Sequence, residues 1–416
     1  MSRSSIEVLV VVLAGGEGTR LYPLTETRTK PAVPIGGKFR LIDIPLSNAC
    51  HSWFRKILVL TQGKDRSLNR HLKNAWTSDV KSESFINILS PQGLGTTYKG
   101  DADAVRQIVD DISYYRPDYV LIVPGDHLVK MQYYNFIRFL VENDGDAALS
   151  VISQPMDRAN SFGSLAMDCV KTITEFREKD PETPLRASTP DRFYASMGIY
   201  AFKTSVLMDI LGLDGMLFGK HLIPQILSKY KVLGYDYEQM NQIPERIIQR
   251  IDNRMEETEI PTSTDSNYWR DVGTIGEYFD ANMDLVATIP LFNLYGREWP
   301  FYTVNLNLGP AKILNPNHQG FVESSIIGEG SILSDVQGKS LVISPSVHIE
   351  KSSLDQVIVF NDSIVDGCTL KRTIIDKHVN IRNLQIGFDA EADTRLGIFV
   401  DKASGIRVVP KHFSNV

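Results

Sequence analysis

Apolar and polar positions follow two different rhythms along the chain. In the first two thirds, short aliphatic and aromatic runs read as buried strands at 8–14, 56–61, 119–123, 146–153, 162–168 and 193–203. Helical periodicity falls between them at 65–76, 101–113 and 133–143. This alternation predicts crossover units and an α/β, Rossmann-like, mostly parallel sheet with helices on both faces. Ligands in such sheets sit beyond the carboxyl ends of the strands. Residues 236–267 are polar with clustered charges and are expected to form a surface excursion, followed by a helix to about Leu285.

Periodicity lapses over 286–310, where Pro290, Gly296, Pro300, Gly309 and Pro310 cluster. Beyond it apolar residues recur every six positions: Ile326 and Ile332, Ile343 and Ile349, then Ile358, Ile364 and Leu370, then Ile375 and Ile381. That period is the mark of a hexapeptide β-helix. The breaks between runs predict coils of unequal length, and a β-sandwich is the competing reading. The expected layout is a catalytic unit over 1–289, a linker over 290–310 and a β-helix over 311–416.

Chemistry enters where the first strand ends. Val8 to Leu13 breaks into Gly15-Gly16-Glu17-Gly18, then Thr19, Arg20 and Leu21. Glycines there let the backbone turn sharply and bring N–H groups close to an anion. An ordinary strand-to-loop turn is the simpler reading of that loop alone. Pro124-Gly125-Asp126-His127 also follows a strand, which gives the two loops a shared edge. The turn-rich segment 22–48 carries Arg28, Lys30, Lys38 and Arg40, either a phosphate surround or a solvated basic surface. Pro31 is expected to restrict Lys30 to extended geometry.

Length and composition narrow the classes. A chain of 416 residues exceeds one typical core. Its 43% hydrophobic and 23% charged residues describe an ordinary globular protein. A net charge of −6 argues against a nucleic-acid binder while leaving room for a local basic pocket. No apolar run reaches membrane-spanning length, and the N-terminus has no signal-like apolar region. Cys50, Cys169 and Cys368 stand apart from one another, which points to a reducing, cytoplasmic setting.

Taken in order, LAGGEGTRL, KPA, GGKFRLIDIPLSN, DADAV, GDH, ASMGIY, FGK-LIP and YWRDVGT resemble the sugar-1-phosphate nucleotidyltransferases, specifically the ADP-glucose pyrophosphorylase family. The resemblance implies that ATP and glucose 1-phosphate give ADP-glucose and pyrophosphate, with Mg2+, for glycogen or starch synthesis. It also implies a left-handed parallel β-helix and a homotetramer, with a second related subunit as a variant. In that scheme Leu13, Ala14, Gly15, Gly16, Gly18, Thr19, Gly100 and Asp101 face the nucleotide. Arg20 and Lys30 bind the triphosphate, and Asp126 and Asp271 are the Mg2+ ligands. Tyr98, Gly163, Glu178, Lys179 and Ser196 take glucose 1-phosphate, with Lys179 on its phosphate. Arg28 and Arg40 match positions tied to sugar-phosphate or nucleotide effectors.

Several positions depart from the family pattern. Asp101 replaces threonine and adds a carboxylate expected to oppose ATP. Thr97 replaces an aromatic, Pro124 a small residue, His221 an acid and Asp180 a proline. Pro34 and Tyr114 stand where some members carry His and Arg. These changes motivate the alternatives: a weakly catalytic or non-catalytic regulatory subunit, or the same chemistry with another nucleotide or sugar phosphate.

Overall fold

Val8–Ala14 forms β1, whose residues feed two cores. Val8, Val10 and Val12 face one cluster and Leu9 and Val11 the other, so the run is apolar throughout because both faces are covered. The structure is a computed structural model; it describes every residue except 1–5, 17, 77–84, 92–96, 181–184, 186–190, 253, 288 and 319. Glu17 of the glycine turn thus lies outside the described residues.

With β2 (Lys56–Thr61), β3 (Phe85–Leu89) and β4 (Tyr119–Pro124), β1 makes a parallel set ordered β3-β2-β1-β4. Helix α1 (Asp43–His51) was invisible to the periodicity because it buries Asp43, Ser47 and Asn48 among its apolar residues. Its Pro45 lies in the first turn, where backbone N–H groups have no helical partner. Helix α2 covers Arg66–Trp76. The helix expected over 101–113 is two, α3 (Asp101–Arg106) and α4 (Val109–Tyr115), because Ile108 leaves helical geometry at φ −113° and ψ 20°.

After β5 (His127–Val129) and α5 (Tyr133–Glu142) the sheet continues with β6 (Ala147–Pro155), β7 (Gly163–Met167), β8 (Ile173–Glu178) and β9 (Arg192–Lys203). Strand β9 runs antiparallel to β4, β6 and β7, so the sheet turns mixed on this side. Strand β10 (Val232–Asp236) lies parallel to β6.

The polar stretch 236–267 is a surface excursion only in part. Strands β11 (Glu245–Ile251) and β12 (Arg254–Ile260) form an antiparallel hairpin. At its open base Tyr237, Asn241, Ser263, Asp265 and Ser266 are buried, because they bond to one another and to Lys130. Strand β13 (Trp269–Asp271) then pairs with β5, and α6 (Ile275–Met283) follows.

From residue 312 onward two parallel sheets stack coil on coil. The central coils are regular, while the outer ones are longer, in line with the expectation of unequal lengths: Lys312 pairs with Ile332 and Thr373 with Arg407. Ile332, His348, Ile364 and Asn380 are successive partners, as are Gln337, Ser353, Thr369 and Gln385, and each step is 16 residues. Corners turn on single left-handed residues at the same spacing: Ser340, Gln356 and Arg372, and Ser346, Asp362 and His378. The β-helix docks on the catalytic unit through Val342, Ile358, Phe360, Ile374 and Val408, which join one core with Ile35, Tyr278 and Phe279.

Candidate active site

The ends of β1 and β4 open on a cavity of about 510 Å³ lined by Leu13, Gly15, Gly16, Tyr98, Gly100, Asp101 and Asp126, with Gln62 and Lys99. Gly18 sits at φ +62°, and a Cβ there would fall 2.8 Å from that of Lys30, so glycine satisfies both backbone and space. Ala14 is buried at the end of β1, and Thr19 opens the short turn that carries Arg20. Arg20 projects over Gly273, where an added methyl would stand 3.1 Å from Nη2. Tyr98, expected on the sugar side, lies against Gly15 in this cavity, and its phenol is pushed up to about 12 by burial and then by Asp111.

Beside the cavity, β5 and β13 pair over only three residues, which sets Asp271 opposite His127. Both carboxylates converge on one cation: Lys30 Nζ is 2.9 Å from Asp126 Oδ2 and 2.9 Å from Asp271 Oδ1. Burial opposes the charge on Asp271, but His127, Lys30 and Arg20 outweigh it and hold the carboxyl at about 2. Burial likewise opposes the charge on Lys30, and the two aspartates raise it nonetheless. His127 was not singled out beforehand. Its Nδ1 lies 3.4 Å from the Trp269 indole N–H, which can only donate. Its Nε2 faces Asp126 at 4.0 Å and Asp271 at 3.8 Å.

Of the sugar-side expectations, Gly163, Glu178 and Ser196 lie on β7, β8 and β9, and Lys179 follows β8 directly. A Cβ on Gly163 would meet Glu178 Oε2 at 2.9 Å, and one on Gly219 would meet it at 2.6 Å, so two glycines make room for that carboxylate. Burial raises Glu178, and Lys179 opposes the shift. Lys179 has φ +49°, is 57% exposed and stands 3.8 Å from Glu178 Oε1. Ser196 lies where β9 leaves its register with β6: its partner is Val151, while Tyr200 pairs with Leu149. The resulting bulge brings Gly198 to within 3.8 Å of His127 Cε1, measured from the position of an added Cβ.

Two departures now have physical accounts. Asp101 Oδ1 accepts the Ala102 N–H at 2.7 Å and the Phe218 N–H at 2.8 Å, so it anchors the start of the helical turn Phe218–Leu222 that carries Gly219. Its carboxylate is engaged with backbone donors, not turned free toward a nucleotide. Burial raises its pKa, while those N–H groups and His221 pull the other way. His221 Nδ1 accepts from Met216 N at 3.2 Å and Leu217 N at 3.1 Å, which ties the same turn.

Arg28 and Arg40 line different cavities. Arg28 is buried, with Nη2 at 2.7 and 3.0 Å from the two oxygens of Asp376, an ion pair between catalytic unit and β-helix. Arg40 lines a cavity of about 360 Å³ with Lys38, Arg70, His71 and Lys377. Burial, then the charge of Arg28, lowers Arg40 to about 10; burial, then Arg40 and Arg28, presses Lys377 down to about 6. Several cations are thus crowded around one space.

Comparison with known proteins adds an independent line. Residues 9–288 match the nucleotidyl transferase family model, and residues 309–409 match a GlmU-like C-terminal hexapeptide model. Glucose-1-phosphate adenylyltransferase of Bifidobacterium longum is 38% identical, with 98% of each chain covered. The proteins of that name from Koribacter versatilis (37% identical, 98% of this chain and 96% of theirs) and Methylococcus capsulatus (36%, 99% and 95%) are similar over the same extent.

Proposed function

The chain belongs to the glucose-1-phosphate adenylyltransferases within the nucleotidyl transferase family, and from that premise we propose that Asp126, Asp271, Lys30, Arg20 and Lys179 carry Mg2+-dependent synthesis of ADP-glucose from ATP and glucose 1-phosphate. The observation that carries this reading is the convergence of Lys30, Asp126 and Asp271 beside the glycine-lined cavity.

A phosphate oxygen of glucose 1-phosphate attacks the α-phosphorus of ATP, the new P–O bond forms, and the bond to pyrophosphate breaks. The substrate brings its own anionic oxygen, so no protein nucleophile is required. The protein has to align two anions and offset their charge. Backbone groups at Gly15 and Gly16 receive the nucleotide, and Arg20 offers a planar fork to the outer phosphates. Lys30, fixed between two carboxylates, holds an ammonium beside the scissile region. Lys179 meets the sugar phosphate, and Glu178 and Ser196 address sugar hydroxyls.

The donor set fits Mg2+. Two hard carboxylates converge on one cation, and among the described residues no group of three or more His, Cys, Asp and Glu side chains could hold a metal alone. Mg2+ characteristically takes one or two carboxylates and completes its shell with waters and substrate phosphates. Asp126 and Asp271 would hold it, where it supplies charge neutralisation on the phosphates and the leaving pyrophosphate.

The crowded cations around Arg40 and Lys377 support an anionic effector there, a sugar phosphate or nucleotide, because an added anion would relieve the depressed Lys377. Arg28 serves this site indirectly, through Asp376. We assign the chain to a homotetramer, or an assembly with a related subunit, in the cytoplasm.

The test is pyrophosphate release from ATP and glucose 1-phosphate by the purified chain, with and without Mg2+, across a panel of nucleotides and sugar phosphates. Turnover no higher than that of Asp126→Ala would overturn the reading. Preference for another pair would move the substrate assignment only.

A further inference from the structure

Lys130 is fully buried and has no part in the chemistry above. Its Nζ lies 2.9 Å from Asp265 Oδ1, 3.2 Å from Ser263 Oγ and 3.5 Å from Glu245 Oε2. A buried ion cluster is a poor device for stability, since desolvation of the charges offsets most of their attraction. Its placement gives it another use. Lys130 follows β5 directly, and Asp265 stands just ahead of β13, so the cluster closes one end of the ribbon whose other end carries Asp126 and Asp271.

We propose that Lys130 is a positioning residue: its cluster sets the register and separation of β5 and β13, and through them the spacing of the two aspartates. Three backbone pairs are little to hold a ribbon on their own. A slip of one residue would turn Asp271 to the opposite face. Further side chains clamp the same end. Asn241 Nδ2 donates to Lys130 O at 2.7 Å and to Ser266 O at 2.6 Å. The Tyr237 hydroxyl stands 3.2 Å from Lys130 O and 2.9 Å from Tyr268 O. The cluster's carboxylates also reach the segment before the β-helix: Asp265 Oδ2 accepts from Asn293 N at 2.9 Å, and Glu245 Oε1 from Arg297 N at 2.9 Å. The ribbon is thereby fastened to the chain that leads into the second domain.

This inference rests on the reading of Asp126 and Asp271 as the carboxylates that serve the reaction. The single variant Lys130→Met would leave two buried carboxylates facing each other and endanger folding. The neutral triple variant Lys130→Met/Glu245→Gln/Asp265→Asn keeps acceptors for Asn293 and Arg297. Asp265→Asn, which leaves Lys130 beside Glu245, is a milder second variant. Three quantities are measured on the full chain: thermal unfolding, Mn2+ binding with ATP by electron paramagnetic resonance, and steady-state kinetics. Loss of outer-shell support characteristically lowers metal affinity or activity by about 10–100-fold. The triple variant is therefore expected to weaken Mn2+ binding and lower kcat within that range at unchanged KM for glucose 1-phosphate, with Asp265→Asn between it and the parent. Parental Mn2+ affinity and kcat in either folded variant would overturn the proposal. Full activity in Asp126→Asn would instead overturn the underlying site reading.

Discussion

Asp101 offers the sharpest test of structure against sequence logic. A carboxylate near ATP should repel it, so any neutral replacement should tighten ATP binding. The geometry predicts otherwise. Oδ1 holds the N–H groups of Ala102 and Phe218, and the Ala102 N–H also reaches Met216 O at 3.1 Å. In Asp101→Ala, among the described residues, the Phe218 N–H is the donor that loses its acceptor, and a stranded buried donor costs about 1–3 kcal/mol. The loss falls on the helical turn whose Gly219 packs on Glu178, so it should surface at the sugar site. Asp101→Ala should lower unfolding free energy by that amount and raise KM for glucose 1-phosphate more than KM for ATP. Asp101→Asn keeps an oxygen in place and should stay near the parent. Asp101→Thr, with one hydroxyl, should fall between. Denaturant unfolding and initial-rate kinetics on the three variants decide the matter. If alanine and asparagine tighten ATP equally without loss of stability, repulsion is the dominant effect and the anchoring argument is wrong.

Lys30→Met removes the cation shared by Asp126 and Asp271 and should abolish turnover. A carboxyl held low when folded stabilises the protein above its unfolded pKa and loses that contribution as pH falls through the folded value. For Asp271 the window runs from 3.8 to about 2. The variant's acid unfolding should therefore begin at higher pH, and an unshifted acid limb would count against the pairing. Lys179→Ala should leave stability unchanged, because its pairing with Glu178 is long and largely solvated. It should raise KM for glucose 1-phosphate far more than KM for ATP; equal rises would remove Lys179 from the sugar phosphate.

Legibility in the sequence followed locality. β1 could be read because burial on both faces writes an unbroken aliphatic run, and α5 because its apolar residues recur at helical spacing. α1 could not, since polar side chains occupy its buried positions to receive distant backbone groups: Asn48 donates to Val129 O at 2.8 Å, and Ser47 Oγ accepts from Tyr302 N at 2.8 Å. The 16-residue coil stayed hidden because its corners are polar residues of varied type in left-handed geometry, which no composition rule marks. At the site, motifs marked Lys30, Asp126 and Asp271, but β5 and β13 are three residues each and too short to show a period, so their pairing was not legible. That Asp271 meets Lys30 is a fact of register. The same distinction decides what each charge does. Arg28 and Lys30 sit two positions apart in one basic loop. Arg28 closes on Asp376, 348 residues away in the β-helix, while Lys30 closes on the two site aspartates. A charge in a loop therefore has no function of its own until the fold supplies its partner.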